Sequence, residues 1–149
     1  MLVYRICINK FAHGLFASGR AARWNSNDVK MVYTASSRSL ACLENVVHRS
    51  QAGLSQLFSV LTINCPETVK IKTIAISALP ANWTDYEQMV ITQKIGDDWI
   101  KDNSSAILKV PSSIIEEEFN YLLNPEHDDF KKIKLLKSAP FVFDNRIKQ

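Results

Sequence analysis

Residues 31–50 read MVYTASSRSLACLENVVHRS. The first six are β-branched, aromatic or small and predict a short strand over 31–36. Serines at 36, 37 and 39 offer an N-cap, and a helix is predicted from about Leu40 to Ser50. Leu40, Leu43 and Val47 fall at i, i+3 and i+7 and define its apolar face. Glu44 stands at i+4 of the same stripe. A carboxylate placed there costs several kcal/mol unless it is paired or reaches a wet pocket. Two readings follow. Glu44 is held by a structural ion pair or a rotated helix, or it faces a ligand. In the second case it would accept a hydrogen bond from a sugar hydroxyl, or stabilise positive charge developing in a transition state.

Outward from this segment, LVYRICI at 2–8 reads as a strand, with Arg5 inside it in need of a partner. Residues 11–30 hold two glycines and an Asn-Ser-Asn-Asp cluster and predict a long loop with at most a short helical turn, of the kind that is usually either functional or disordered. Val69 to Ile74 alternates and predicts a strand with one covered face inside 69–78. Thr84 and Glu87 have the spacing of a capping box. Ile91, Ile95 and Trp99 recur on a predicted helix over 91–101. Residues 106–110 predict a buried strand ended by Pro111, 114–123 suit either element, and 141–143 a last short strand. The expected fold is α+β: one domain over 1–149, with mostly antiparallel mixed sheets and short helices.

The composition agrees. The chain has 149 residues, 46% hydrophobic and 22% charged, enough for a core without staples. A net charge of +3 is too small to define a nucleic-acid binder. No run approaches a membrane span and no cleavable leader is recognisable, which points to the cytoplasm. Cys7, Cys42 and Cys65 are odd in number and widely spaced, so they predict neither a disulfide framework nor a metal knuckle. No glycine-rich phosphate loop and no HExxH occurs.

Other residues carry chemistry beside a plainer alternative. Arg20, Arg23 and Arg38 suit a diphosphate, because a guanidinium binds two oxygens at once; solvated surface arginines are the plainer reading. Tyr33 and Trp24 would stack on a ligand ring or pack in the core. Ser112 and Ser113 would donate to a ligand or form a turn, and no nucleophile elbow surrounds them. The lysines at 131, 132, 134 and 137 read as a solvated face, or as a patch for an acidic partner. His127 with Asp128 and Asp129 is too thin a set for a metal.

In series, YRI (4–6), GRAARWN (19–25), VYTASSRSLACLENVVH (32–48), LPANW (79–83), TQKIGDDWI (92–100), LKVPSSIIEEEFNYLLNPEH (108–127) and FVFDNRI (141–147) resemble the RES domain, named for an Arg, a Glu and a Ser. RES proteins are toxins of bacterial type II toxin–antitoxin modules, usually encoded beside an Xre-type antitoxin. Their fold is similar to that of mono-ADP-ribosyltransferase toxins, and they act on NAD. The resemblance implies a catalytic trio of Arg23, Glu44 and Ser112. It adds Tyr33, Arg5, Trp24 and Asn25 as substrate-binding residues. One departure stands out: Ala21 and Ala22 replace the paired glycines frequent before the family's Arg-Trp-Asn.

The implied reaction is cleavage of NAD between nicotinamide and ribose, with NAD as substrate and no metal. Water, phosphate or a protein would accept the ADP-ribosyl group. An Xre-type antitoxin and a second copy of the chain are the implied partners, without nucleic acid or membrane. A protein-directed ADP-ribosyltransferase and a non-enzymatic binding module are the alternatives.

Overall fold

The N-terminal strand, β1 (Leu2–Ile8), is as predicted and lies inside the sheet rather than at its edge. In the computed structural model, which describes residues 1–147, the elements that follow are β2 (Val32–Ala35), α1 (Arg38–His48), α2 (Gln51–Leu54) and β3 (Phe58–Asn64). After them come β4 (Ile71–Thr73), α3 (Met89–Asp102), β5 (Ile107–Pro111), β6 (Phe119–Leu123) and β7 (Lys134–Phe141). All seven strands belong to one sheet, ordered β4-β5-β6-β2-β1-β3-β7. Among the described residues only β4 and β5 run parallel. The α+β expectation stands, with one sheet in place of several.

The sheet is uneven along its middle. β1 pairs with β3 over seven residues, from Leu2 opposite Asn64 to Ile8 opposite Phe58. With β2 it registers only at Tyr4 opposite Ala35. Side-chain alternation then sorts the core. Val3, Cys7, Val32, Leu61, Ile63, Ile107 and Leu123 form one cluster on one face. The other face carries two separate clusters. Ile6, Ala35, Leu40, Ala41, Phe58 and Val60 pack beneath α1. Trp24, Met31, Trp83, Trp99, Leu108 and Leu122 pack beneath α3 and the long loop. Two cores on one face leave a trough between them, over the weakly paired β1–β2 seam.

The α1 start is set by Ser37, whose Oγ accepts from the Leu40 backbone N–H at 3.0 Å. Leu40 is 1% exposed, and its burial contributes about 2 kcal/mol. α3 stops at Asn103, which adopts a left-handed φ of 48° and returns its N–H to the Trp99 and Ile100 carbonyls. Trp99 is buried, its indole N–H donating to Ser105 Oγ at 2.9 Å.

Three expectations change, and one strand had none. The strand predicted within 69–78 is only three residues long and lies at the sheet edge with all three exposed; Val69 is buried ahead of it. Thr84 and Glu87 form no capping box, because the short turn over Tyr86–Gln88 intervenes and no side chain caps either it or α3. The last strand runs over Lys134–Phe141, takes in Lys137, and shares only Phe141 with the strand predicted at 141–143. Those lysines, with Pro140, sit on the edge strand, where charge and proline discourage pairing with another chain. β3, to which the sequence reading assigned nothing, is the strand that joins β1 to that edge.

Candidate active site

The trough is a cleft of about 760 Å³. Its floor comes from the split seam, with Tyr4, Arg5 and Ile6 on one side and Tyr33, Thr34 and Ala35 on the other. α1 supplies one wall through Ala41, Glu44, Asn45 and His48, which recur at helical spacing. The loop at 20–24 supplies the facing wall, and Tyr86, Met89, Ser113 and Asn120 close the remainder.

Glu44 is only partly buried, and its side chain retains 24% of its accessible surface. Its Oε2 lies 3.5 Å from His48 Nε2, one turn further along α1. Within the described residues Glu44 makes no ion pair with an arginine. The helix therefore turns this carboxylate to the cleft, with His48 of the same helix as its neighbour there.

Arg23 is fixed by its own fork. One terminal nitrogen donates to the Trp83 carbonyl at 2.9 Å and the other to the Thr84 carbonyl at 2.8 Å. Its guanidinium carbon also lies 5.8 Å from the Trp83 ring centroid. Burial lowers its pKa, and the negative charges of Glu44 and Asp85 pull it back up. It stays cationic at neutral pH.

Arg5 is also at the cleft. It donates to the Phe16 carbonyl at 2.7 Å, its sole acceptor among the described residues. Burial lowers its pKa, partly offset by Cys7. A desolvated guanidinium with most donors unused is suited to an anion. Arg20 lines the same cleft. Arg38, at the start of α1, does not: it packs 5.3 Å from the Tyr4 ring centroid and donates to Thr62 Oγ1 at 3.4 Å, so Arg20, Arg23 and Arg38 do not act as one group.

Tyr33 lines the cleft and spends its hydroxyl on the loop. The hydroxyl donates to Asn25 Oδ1 at 2.6 Å and accepts from the Trp24 N–H at 3.2 Å. Burial pushes the phenol pKa well above its ordinary value, and the charges of Asp97 and Glu44 add to that. Trp24 borders the cleft but is 3% exposed, its ring 5.9 Å from that of Trp83, so it is packed rather than available for stacking. Asn25 is 1% exposed and absent from the cleft wall; its amide donates to the Arg20, Ser26 and Val29 carbonyls and knits the loop together.

Ser112 also lies off the wall. It is 1% exposed, and its Oγ accepts from the Ile114 and Ile115 N–H groups, a local turn. The hydroxyl-bearing neighbour on the wall is Ser113. A one-residue step along a strand end reverses which side chain faces a cleft. His127 caps a turn, its Nδ1 accepting from the Asp129 N–H at 3.0 Å.

Sequence reasoning missed Asn45, His48 and Arg49 as neighbours of Glu44. Their signal was present, since 41, 44, 45 and 48 share one helix face. Asn45 anchors α1 to β1 by donating to the Ile6 carbonyl at 3.1 Å, and it accepts from Arg49 Nε at 3.0 Å. Tyr4, Tyr86 and Asn120 needed the tertiary fold.

A single α+β sheet, split beside its centre and holding an acid across from a basic loop, defines the class to which comparison assigns the chain. The RES domain matches residues 2–144, and the chain belongs to that family. This is the family of the Res toxins. The chain is similar to a protein of Sphingobium sp. (strain YBL2) named Prs ADP-ribosylating toxin, 37% identical over 136 residues that span 90% of this chain and 84% of that one. It is similar to Toxin Res of Photorhabdus laumondii, 34% identical over 99% of this chain and 97% of the relative. Its fold resembles the crystal structure of the M. tuberculosis MbcT–MbcA toxin–antitoxin complex, with a TM-score of 0.75 and 17% identity over 95% of this chain and 84% of that one. Among the described residues no helix is long and apolar enough to cross a membrane.

Proposed function

We propose that this toxin is an enzyme that cleaves NAD at the bond between nicotinamide and ribose. The observation that carries the reading is the arrangement of Glu44 and Arg23: a carboxylate with no arginine ion pair opens on a cleft of about 760 Å³ whose other wall is basic. A cleft of this size suits a ligand as large as a dinucleotide.

The placement of the lining residues supports the following roles. Arg5, Arg20 and Arg23 hold the diphosphate oxygens. Tyr33 walls the nicotinamide, its ring fixed through Asn25. Glu44 accepts from ribose hydroxyls and faces the charge that spreads over the ribose as the bond lengthens. The nicotinamide–C1′ bond breaks with its electron pair going to the pyridinium nitrogen, which becomes neutral. The leaving group is cationic beforehand, so no general acid is required. Water then bonds to C1′ through its oxygen and releases a proton to solvent; phosphate would attack in the same place. Ser112 acts at one remove, fixing the turn that presents Ser113.

A second reading has one observation in its favour. The Sphingobium relative is named an ADP-ribosylating toxin. A protein nucleophile would then replace water at C1′. An antitoxin that covers the cleft is the partner this reading shares with the first. The test is to incubate the pure chain with NAD, alone, with phosphate and with cell extract. Nicotinamide together with free ADP-ribose, ADP-ribose phosphate or ADP-ribosylated protein separates the acceptors. Intact NAD in all three arms would contradict the proposal.

A further inference from the structure

The TQKIGDDWI stretch lies on α3, and the chemistry above leaves it unused. One face of that helix, residues 92, 93, 96 and 97, meets the backbone of the loop that carries Arg23. Thr92 Oγ1 lies 2.5 Å from the Arg23 carbonyl and 3.0 Å from the Met89 carbonyl, and shares its proton between them. Gln93 Nε2 donates to the Ala22 carbonyl at 2.9 Å. Asp97 accepts from the Ser26 N–H at 3.0 Å and from the Ser26 hydroxyl. Between these contacts a Cβ on Gly96 would stand 1.8 Å from the Trp24 carbonyl oxygen, so the loop lies where any side chain would be. Thr92 is fully buried, which makes its hydroxyl part of the fold's interior and not a surface cap.

We propose that Thr92, Gln93, Gly96 and Asp97 form a cradle that positions Arg23 and so sets affinity for the substrate's phosphates. They are positioning residues, since none of the four lines the cleft. Two anchors act on Arg23 from opposite ends. The cradle fixes its backbone, and the Trp83 and Thr84 carbonyls fix its guanidinium. Loosening the first leaves the second to hold the head group of a displaced residue. The inference rests on the reading of Arg23 as a ligand-holding cation.

The test uses the full chain with Thr92→Ala, Thr92→Ser, Asp97→Asn and Gly96→Ala, read by amide hydrogen exchange and by NAD kinetics. Exchange over residues 20–28 should rise about tenfold in Thr92→Ala and Gly96→Ala, with β5 and β6 unchanged. KM for NAD should rise about tenfold with kcat held within about threefold, because displaced positioning costs binding first. Thr92→Ser should restore both. Should Gly96→Ala not fold, Thr92→Ala and Asp97→Asn carry the test. Wild-type exchange over 20–28 in the Thr92→Ala variant would overturn the proposal, as would loosening spread equally over β5 and β6. Failure of the wild-type chain to turn over NAD would remove the NAD reading alone; the exchange result would still decide whether the cradle positions the loop.

Discussion

Arg23 and Glu44 face one cleft from opposite walls without forming an ion pair. Each is nonetheless sensed by the other, since the Glu44 charge offsets part of the effect of burial on the Arg23 guanidinium. Arg23 is anchored by two backbone carbonyls and α1 by its Ser37 cap, so neither group is drawn across to neutralise the other. Held apart, the pair presents opposite charges at two places along one ligand. That suits a molecule anionic at its centre and cationic at one end.

Removing the Arg23 fork should weaken substrate more than chemistry. Arg23→Lys keeps the charge but cannot bridge the Trp83 and Thr84 carbonyls. KM for NAD should rise by about tenfold or more, and stability should fall by about 1–2 kcal/mol from the lost hydrogen bonds. Steady-state kinetics beside urea unfolding checks both.

Ser112 and Ser113 should separate cleanly. Ser112→Ala leaves the Ile114 and Ile115 N–H groups without their acceptor and should cost about 1–2 kcal/mol. Ser113→Ala should leave the melting temperature near wild type while altering KM, because Ser113 is on the cleft wall. Calorimetric melting and kinetics on the two variants distinguish a turn from a contact.

Alkali should destabilise the chain through Tyr33 and Cys65. Burial raises both pKa values, the thiol to about 11. Raised pKa values mean the folded chain holds protons that the unfolded chain releases. Their contribution is complete below the unfolded values, about 8.5 for a thiol and about 10 for a phenol, and is lost as pH rises through the folded ones. Urea midpoints should therefore fall progressively from about pH 9 upward, and Tyr33→Phe with Cys65→Ala should flatten that fall.

Thiol labelling should be ordered. All three cysteines are free, and Cys42 is the partly exposed one while Cys7 and Cys65 are buried. A thiol reagent on the native chain should modify one equivalent, at Cys42, well before the others, and all three in denaturant. Equal rates for the three in native buffer would argue against the buried placement.

The strand–helix segment around Glu44 was legible because its signals were local. Serines precede a helical stripe, and a charge interrupts that stripe. β1 was legible for the same reason. β3 was passed over although FSVLTIN is apolar and β-branched, and its neighbours were named without it. The capping box at Thr84 and Glu87 failed because spacing cannot reveal a turn inserted before α3. At the site, the sequence supplied Arg5, Arg23, Tyr33 and Glu44, which line the cleft together. It could not tell Ser112 from Ser113, because that depends on which way one residue faces at a strand end. Nor could it show that Trp24 and Asn25, beside Arg23 in sequence, are buried in the loop's own packing.

The most direct measurement compares wild type with Glu44→Gln, a near-isosteric exchange that removes the charge and keeps one acceptor oxygen. NAD binding by calorimetry and nicotinamide release by chromatography are read on the same samples. The account predicts binding within a few-fold of wild type and release slower by about a hundredfold or more, the loss expected when charge aimed at a transition state is removed. Nicotinamide release at the wild-type rate from the Glu44→Gln chain would contradict it.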